Sequence, residues 1–277
     1  MIIFREKEIK QEHFGDGTLK AIVPDCITEK GFLDIGNFFG GSDSERITWC
    51  YDSDSEIFTL QCLVDAIRDV KPFSKITLLL PYIPNARQDR KVSGRFFTLK
   101  SFAKLINSMN FYKVEVCDPH SDVSTALIDR VKVLSQLKDS VKIKDGTILM
   151  YPDAGAAKKY NATDKDIIGN KHRNAEGRIE SYELLNFVEG TKNVIIVDDI
   201  CSYGGTFVAA AKALKEKGVE SISLLVTHCE DNILKGDVFE HISDVYTTDS
   251  ICHITHQKLH FLETFRKVEE EADDSEE

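Results

Sequence analysis

Val194-Ile195-Ile196-Val197-Asp198-Asp199-Ile200-Cys201-Ser202-Tyr203-Gly204-Gly205-Thr206 is the stretch that decides the fold. Its first four residues form a short, β-branched apolar run of the kind buried on both faces of a parallel sheet. Two acids follow at once, then a double glycine, then an alanine-rich stretch of helical period from Phe207 to Lys217 that stops at Gly218. The chemistry therefore sits at the carboxyl end of a strand, where open α/β sheets bind ligands. The glycine loop presents backbone N–H groups and a positive dipole end to an anion. Two carboxylates beside an anion would repel it, unless they accept hydrogen bonds from sugar hydroxyls or share the site with a divalent cation. A ribose carrying a 5-phosphate offers both a diol and a phosphate. No Gly-Lys-Ser/Thr follows, which excludes a Walker loop, and the glycine spacing excludes a GxGxxG dinucleotide loop.

Similar apolar runs recur at Ile76 to Leu80, Val114 to Cys117, Ile148 to Tyr151 and Ile222 to Val226. Helical periods occupy Phe58 to Val70 and Leu99 to Ser108 between them. Strands alternating with helices predict an α/β fold with mainly parallel sheets. The chain has 277 residues, enough for two domains of ordinary size. A polar stretch from Leu134 to Gly146 near the midpoint suggests a boundary, giving domains at 1–138 and 139–267 and an acidic tail at 268–277. Each half has the layout of strand, charged loop and helix. The formal charge of -11 owes seven units to Glu269, Glu270, Glu271, Asp273, Asp274, Glu276 and Glu277, so the body is only mildly acidic and nucleic acid is not an expected partner. Seven cysteines, odd in number and never spaced as CxxC, read as reduced thiols of an intracellular protein. No apolar run suits a secretion signal or a membrane span, so a soluble cytoplasmic protein without a membrane partner is expected.

Four further segments carry chemistry. Pro81-Tyr82-Ile83-Pro84-Asn85-Ala86-Arg87-Gln88-Asp89-Arg90-Lys91 gathers three cations in one loop after a strand. Arginine forks hold phosphate oxygens, while Gln88 or Asp89 can read a base or orient an arginine; taken alone, the run is a solvated loop. Val116-Cys117-Asp118-Pro119-His120-Ser121-Asp122 offers a histidine beside a potential helix cap. Tyr151-Pro152-Asp153-Ala154-Gly155-Ala156 again places an acid between strand and helix. Lys171-His172-Arg173 lies in a polar segment, Asn161 to Glu180, whose length without an apolar pattern predicts a mobile loop. Cys252-His253-Ile254-Thr255-His256 lacks the remaining ligands of any familiar zinc spacing and reads as strand or surface.

Together these motifs, from about Glu56 to Thr227, resemble the phosphoribosyl pyrophosphate (PRPP) synthetase family, and the Asp198 to Thr206 loop looks like its PRPP-binding loop. The resemblance implies two phosphoribosyltransferase-like domains. It also implies an enzyme that transfers the β,γ-diphosphate of ATP to the anomeric hydroxyl of a 5-phosphorylated ribose, releasing AMP with magnesium as cofactor. By resemblance, Arg87, Gln88, Asp89, Arg90 and His120 bind ATP, and His120 and Asp153 hold magnesium. Asp198, Asp199, Ser202, Tyr203, Gly204, Gly205 and Thr206 bind the ribose phosphate, while Lys171 and Arg173 neutralise charge in the transition state. A homodimer or hexamer is implied as well.

Three departures stand out. The family's Phe-x-Asp-Gly-Glu segment has at best a remnant in Phe39-Gly40-Gly41-Ser42, and Ala154-Gly155-Ala156 replaces paired glycines. Most telling, the usual Asp-Thr-Gly-Gly-Thr loop reads Ser202-Tyr203-Gly204-Gly205-Thr206. That loop, with Leu99 to Asn107 and Asp118 to Asp122, looks most like the phage-type homologues that pyrophosphorylate ADP-ribose for NAD restoration, which sets ADP-ribose slightly ahead of ribose 5-phosphate. A non-catalytic regulatory homologue and a nucleobase phosphoribosyltransferase are the rivals. The second leaves the first domain unexplained, and retention of Lys171, Arg173, His120 and Asp153 weighs against the first.

Overall fold

A computed structural model describes residues 1–22, 44–134, 143–173 and 179–268. The Phe39 to Ser42 segment, most of the Leu134 to Gly146 stretch and the acidic tail lie outside the described residues. The chain divides into two compact units, Met1–Leu134 with the chain from Phe265 onward, and Ser135–Thr264.

In the first unit the strands are β1 (Ile2–Phe4), β2 (Lys7–Glu8), β3 (Gln11–His13), β4 (Leu19–Ala21), β5 (Ser44–Trp49), β6 (Lys75–Leu80), β7 (Lys113–Val116) and β8 (Val131–Val133). The helices are α1 (Glu56–Val70), α2 (Thr98–Ser108) and α3 (Asp122–Leu127). The sheet order is β2-β1-β5-β6-β7-β8, parallel from β5 to β8 and antiparallel at β1 and β2, while β3 and β4 form a separate hairpin. Helix α1 shows why the apolar spacing matters. Glu56, Thr59, Leu60, Leu63, Val64 and Ile67 form one buried stripe at helical spacing. Ser55, the residue before the helix, makes no side-chain cap. Glu56 instead fastens the chain before the helix, accepting the Asp52 N–H at 2.9 Å and the buried Trp49 indole N–H at 2.9 Å, and pairing with the Met1 amine. Phe4, Ile47, Trp49, Leu60, Ile67, Leu78 and Phe111 fill this core, each worth roughly 1.5–3 kcal/mol of burial.

The second unit contains β9 (Thr147–Tyr151), β10 (Ile167–Arg173), β11 (Ile179–Leu185), β12 (Asn193–Cys201), β13 (Ser221–Cys229), β14 (Asp244–Thr248) and β15 (Leu259–Glu263). Its helices are α4 (Ala154–Lys159), α5 (Gly205–Glu216) and α6 (Val238–His241), with a 3-10 turn at Asp231–Lys235. The order is β11-β10-β9-β12-β13-β14-β15, parallel throughout except for the β10–β11 pair. Both units are thus α/β with mainly parallel sheets. Ile196, Val194, Leu224, Val226 and Val245 from the strands meet Phe207, Ala210, Ala211 and Leu214 of α5 in the core. Helix α5 ends as its sequence requires. Gly218 takes φ +85°, and the Val219 N–H returns to the Leu214 carbonyl at 3.1 Å.

Two expectations need correcting. Lys171 to Arg173 do not stand in a loop: they end β10, which pairs with β11 through Lys171↔Tyr182 and, after a register shift between His172 and Arg173, through Arg173↔Ile179. The antiparallel ladder satisfies the backbone there, so the polar side chains need no apolar pattern. Strand β12 also runs four residues past Val197, to Cys201, so the acid pair lies within the strand rather than after it. Among the described residues no helix is long and apolar enough to cross a membrane.

Candidate active site

The chain leaves β9 for β10 on one side and returns to β12 on the other, so the sheet of the second unit changes direction between β9 and β12. That is the switch point where an open sheet parts its loops and admits a ligand. Asp153 follows β9, and Asp198 and Asp199 occupy the carboxyl end of β12. One crevice edge thus carries three acids, against which two lysines are set.

Asp153 begins α4, and its Oδ1 accepts the Ala156 N–H at 3.0 Å. Its Oδ2 accepts from Lys171 Nζ at 2.8 Å. Burial works against ionisation here, but the Lys171 ammonium and the Ala156 amide outweigh it and hold the carboxyl below the usual range. Lys171 is pointed at Asp153 by its place on β10. Its register partner Tyr182 donates its hydroxyl to the Pro152 carbonyl at 2.8 Å. Gly169 makes room for that bond, since a Cβ there would run into the Tyr182 hydroxyl and the Pro152 carbonyl. Burial, with the negative field of Asp153 and Asp198, pushes the Tyr182 phenol well above its ordinary range.

Asp198 and Asp199 crowd each other. The Asp199 N–H donates to Asp198 Oδ1 at 3.0 Å. Burial first, and then the Asp199 charge, raise the Asp198 carboxyl well above the ordinary range. Asp199 is 5% exposed and lies 3.4 Å from Lys159 Nζ, which reaches it from the last residue of α4. Such a pair can exchange its proton for an incoming cation, the proton passing to water, or accept the donors of a sugar diol.

Beyond the strand, Gly204 stands at φ +77° immediately before α5, and a Cβ there would strike Val238. Both facts demand glycine. The first N–H groups of α5, from Gly205 and Thr206 onward, have no partner within the helix and lie at its positive end. Tyr203 is 55% exposed, and its carbonyl packs so tightly on Gly236 that no side chain fits there. The Ser202 hydroxyl donates to Glu230 Oε2.

The ATP-side candidates stand in the first unit. Arg87, Gln88 and Arg90 are exposed and Asp89 is half-buried, on a loop pinned by buried Ile83, Pro84 and Ala86 and turned by Asn85 at φ +62°. Gln88 Oε1 accepts from the Thr98 hydroxyl at 2.8 Å. The Cys117 N–H donates to the Pro81 carbonyl at 3.1 Å, which sets the loop after β7, with exposed His120, beside the loop after β6. Ser121 precedes α3 without making a side-chain cap. The structure therefore brings Arg87 to Arg90 and His120 together at the carboxyl ends of β6 and β7 in the first unit. It brings Asp153, Lys171, Asp198, Asp199 and the Ser202 to Thr206 loop together at the carboxyl ends of β9 and β12 in the second. Arg173 closes β10.

Local pattern reading missed Lys159, Tyr182 and Glu230. Lys159 alone left a trace, as a cation in the last turn of the short helix after Asp153. Among the described residues no three of His, Cys, Asp and Glu converge into a cage for an ion. A magnesium ion fits nonetheless, because it binds through few carboxylates, water and phosphate oxygens, and the crowded acids of this crevice gain from a cation. Of the Cys252 to His256 run, His253 pairs with Asp231 at 3.1 Å and His256 stacks on Phe239, in irregular chain rather than strand.

Residues 156–257 match the model of the phosphoribosyl transferase domain. A ribose-phosphate pyrophosphokinase of Marinomonas sp. (strain MWYL1) is 30% identical over 221 residues, 73% of this chain and 69% of that protein. One from Campylobacter jejuni is 31% identical over 219 residues, with the same coverage. The chain belongs to the ribose-phosphate pyrophosphokinase family. A solved phosphoribosylpyrophosphate synthetase from Mycobacterium smegmatis, 19% identical, superposes with a TM-score of 0.68 over 92% of this chain and 85% of its own. The two-unit α/β architecture is thus the fold of that synthetase. Within this family member the domain match spans Lys159, Lys171 and the glycine loop and leaves the first unit outside.

Proposed function

We propose that this family member is an ATP-dependent diphosphotransferase that moves the β,γ-diphosphate of ATP to the anomeric 1-hydroxyl of a 5-phosphorylated ribose and releases AMP. ADP-ribose, giving ADP-ribose 1-pyrophosphate for NAD restoration, stands slightly ahead of ribose 5-phosphate, giving PRPP. One arrangement supports this above all: an acid pair and a glycine loop share the switch point with an aspartate held by a lysine.

In this reading Asp198 and Asp199 accept hydrogen bonds from the ribose diol, and the Ser202 to Thr206 loop takes the 5-phosphoester on the first N–H groups of α5. Arg87, Gln88, Asp89, Arg90 and His120 hold ATP, the arginines by forked bonds to phosphate. Lys171 and Arg173 stabilise the charge that develops on the transferred phosphorus, the main task of a phosphoryl-transfer site. No protein nucleophile is required, because the sugar hydroxyl attacks the β-phosphorus, its proton passes to solvent, and AMP leaves with the electron pair of the broken P–O bond. His120 and Asp153 would hold magnesium, directly or through water. Bound there, the ion would draw charge from the phosphate oxygens. Exposed Tyr203, where the family usually has a threonine, offers a ring to the larger acceptor. Assembly as a dimer or hexamer in the cytoplasm belongs to the same reading.

The test is mass spectrometry of products from magnesium-ATP with each acceptor in turn, using Lys171→Ala as control. AMP with diphosphorylated ADP-ribose supports the larger acceptor, and AMP with PRPP assigns ribose 5-phosphate. Acceptor-independent silence would leave a nucleotide-binding regulatory homologue.

A further inference from the structure

Glu230 is an acid near the glycine loop that the proposed chemistry does not use. It stands just past β13, and the geometry points to a definite task. Its backbone N–H donates to the Cys201 carbonyl at 2.8 Å, strapping it to the strand end one residue before Ser202. Its Oε2 accepts from the Ser202 hydroxyl and, at 3.3 Å, from Asn232 Nδ2. The chain that follows remains against the loop as far as Gly236, which abuts the Tyr203 carbonyl. A carboxylate is therefore fixed beside the first residue of the proposed phosphate loop.

Two consequences follow for an anion. The Ser202 hydroxyl has one proton, and that proton is engaged by Glu230, so the oxygen offers an arriving phosphate only lone pairs. The carboxylate also adds negative charge where the anion must sit. A phosphomonoester carries between one and a half and two charges near neutral pH, given a second pKa of about 6. Each phosphorus of a diphosphodiester has a single ionisable oxygen, and so lacks that second ionisation and carries about one. The penalty thus falls unequally on the two acceptor classes.

We infer that Glu230, acting through Ser202, is a specificity-determining residue that disfavours a terminal 5-phosphate dianion and tolerates a 5-diphosphodiester. This rests on the pyrophosphokinase reading of the loop. Glu230→Gln keeps the shape and can still accept from Ser202, but removes the charge.

The experiment measures AMP release with ribose 5-phosphate and with ADP-ribose for the full-length wild type and Glu230→Gln. The expected result is a KM for ribose 5-phosphate lowered about tenfold with kcat little changed, and ADP-ribose parameters within about twofold, the scale of relieving one like-charge contact. A merely structural role would depress both acceptors together, and that result, or an unchanged ratio, overturns the inference. Should the wild type turn over neither acceptor, the pyrophosphokinase reading fails on its own. Calorimetry with ribose 5-phosphate then decides for Glu230: tighter binding to Glu230→Gln supports the charge effect, and equal binding overturns it.

Discussion

Lys171 Nζ lies 2.8 Å from Asp153 Oδ2, joining a strand of the β10–β11 hairpin to the start of α4 across 18 residues of chain. The contact holds a cation at the sheet's switch point and keeps a carboxylate ionised. In the proposed reading, a divalent cation that takes Asp153 would free the Lys171 ammonium for the phosphate oxygens.

Lys171→Ala removes that ammonium without disturbing a core, since the side chain is about a quarter exposed. We expect kcat to fall about 10²–10³-fold, the scale of losing one transition-state donor, while the thermal midpoint stays close to that of the wild type. Steady-state AMP release and a melting curve on the same preparation check both halves. Wild-type kcat in the variant would remove Lys171 from the machinery.

Gly204→Ala tests the loop. The position combines φ +77° with a methyl group of Val238 in the space a Cβ needs. We expect a loss of about 1–3 kcal/mol of stability and a raised KM for the sugar acceptor, because the turn that aims the first N–H groups of α5 is displaced. Gly205→Ala is the control, since a Cβ there meets nothing within 4 Å. Urea titration of both variants separates the two, and equal effects would discard the steric explanation.

What the sequence discloses here follows contact range. Val194 to Val197 declares a buried strand because its neighbours in the chain share its environment, and Gly218 declares a helix end because the requirement is on its own φ. Lys171 does not declare its strand. The β10–β11 ladder bonds backbone to backbone, leaving Asn170 and Lys171 polar, and β10 joins the sheet only through Ile167 and Ile168 beside β9. Glu230 is still less visible, since its partner Ser202 lies 28 residues back. Local pattern located the acid pair, Asp153 and the glycine loop, each beside an apolar strand. The lysine and glutamate that set their charge are joined to them only by the fold.

Asp198 provides a test by pH. Burial and the neighbouring Asp199 raise its folded pKa well above the value it has in the unfolded chain. In that window the folded state holds a proton the unfolded state lacks, so stability falls as pH rises from the ordinary aspartate value of about 3.9 towards the raised one. Asp198→Asn cannot ionise. Its melting temperature should exceed the wild type's by about 2–4 °C in mildly alkaline buffer, with the difference shrinking as pH falls towards the ordinary value. Asp153 has the opposite slope, its lowered pKa costing stability as pH drops, but it is present in both proteins and cancels in the comparison. An asparagine variant no more stable than wild type at alkaline pH would contradict the account.

Lys159 is the last and sharpest case, because nothing in the proposed chemistry calls for it. It ends α4 with its ammonium 3.4 Å from Asp199 Oδ2 and 5.3 Å from the centre of the Tyr160 ring. Asp199 is almost fully buried, so deleting the cation leaves a carboxylate with neither water nor that counter-charge, which costs about 3 kcal/mol in buried pairs. Lys159→Met should therefore destabilise the protein and raise the KM for the sugar, while Lys159→Arg should retain most of both. Adding Asp199→Asn to Lys159→Met removes that buried charge. In the double variant stability should return towards wild type, whereas acceptor turnover should stay low, because in the proposed reading the diol has lost one of its two acceptors. Stability and turnover recovering together would mean that Asp199 serves the fold alone, and the sugar would have to be placed elsewhere.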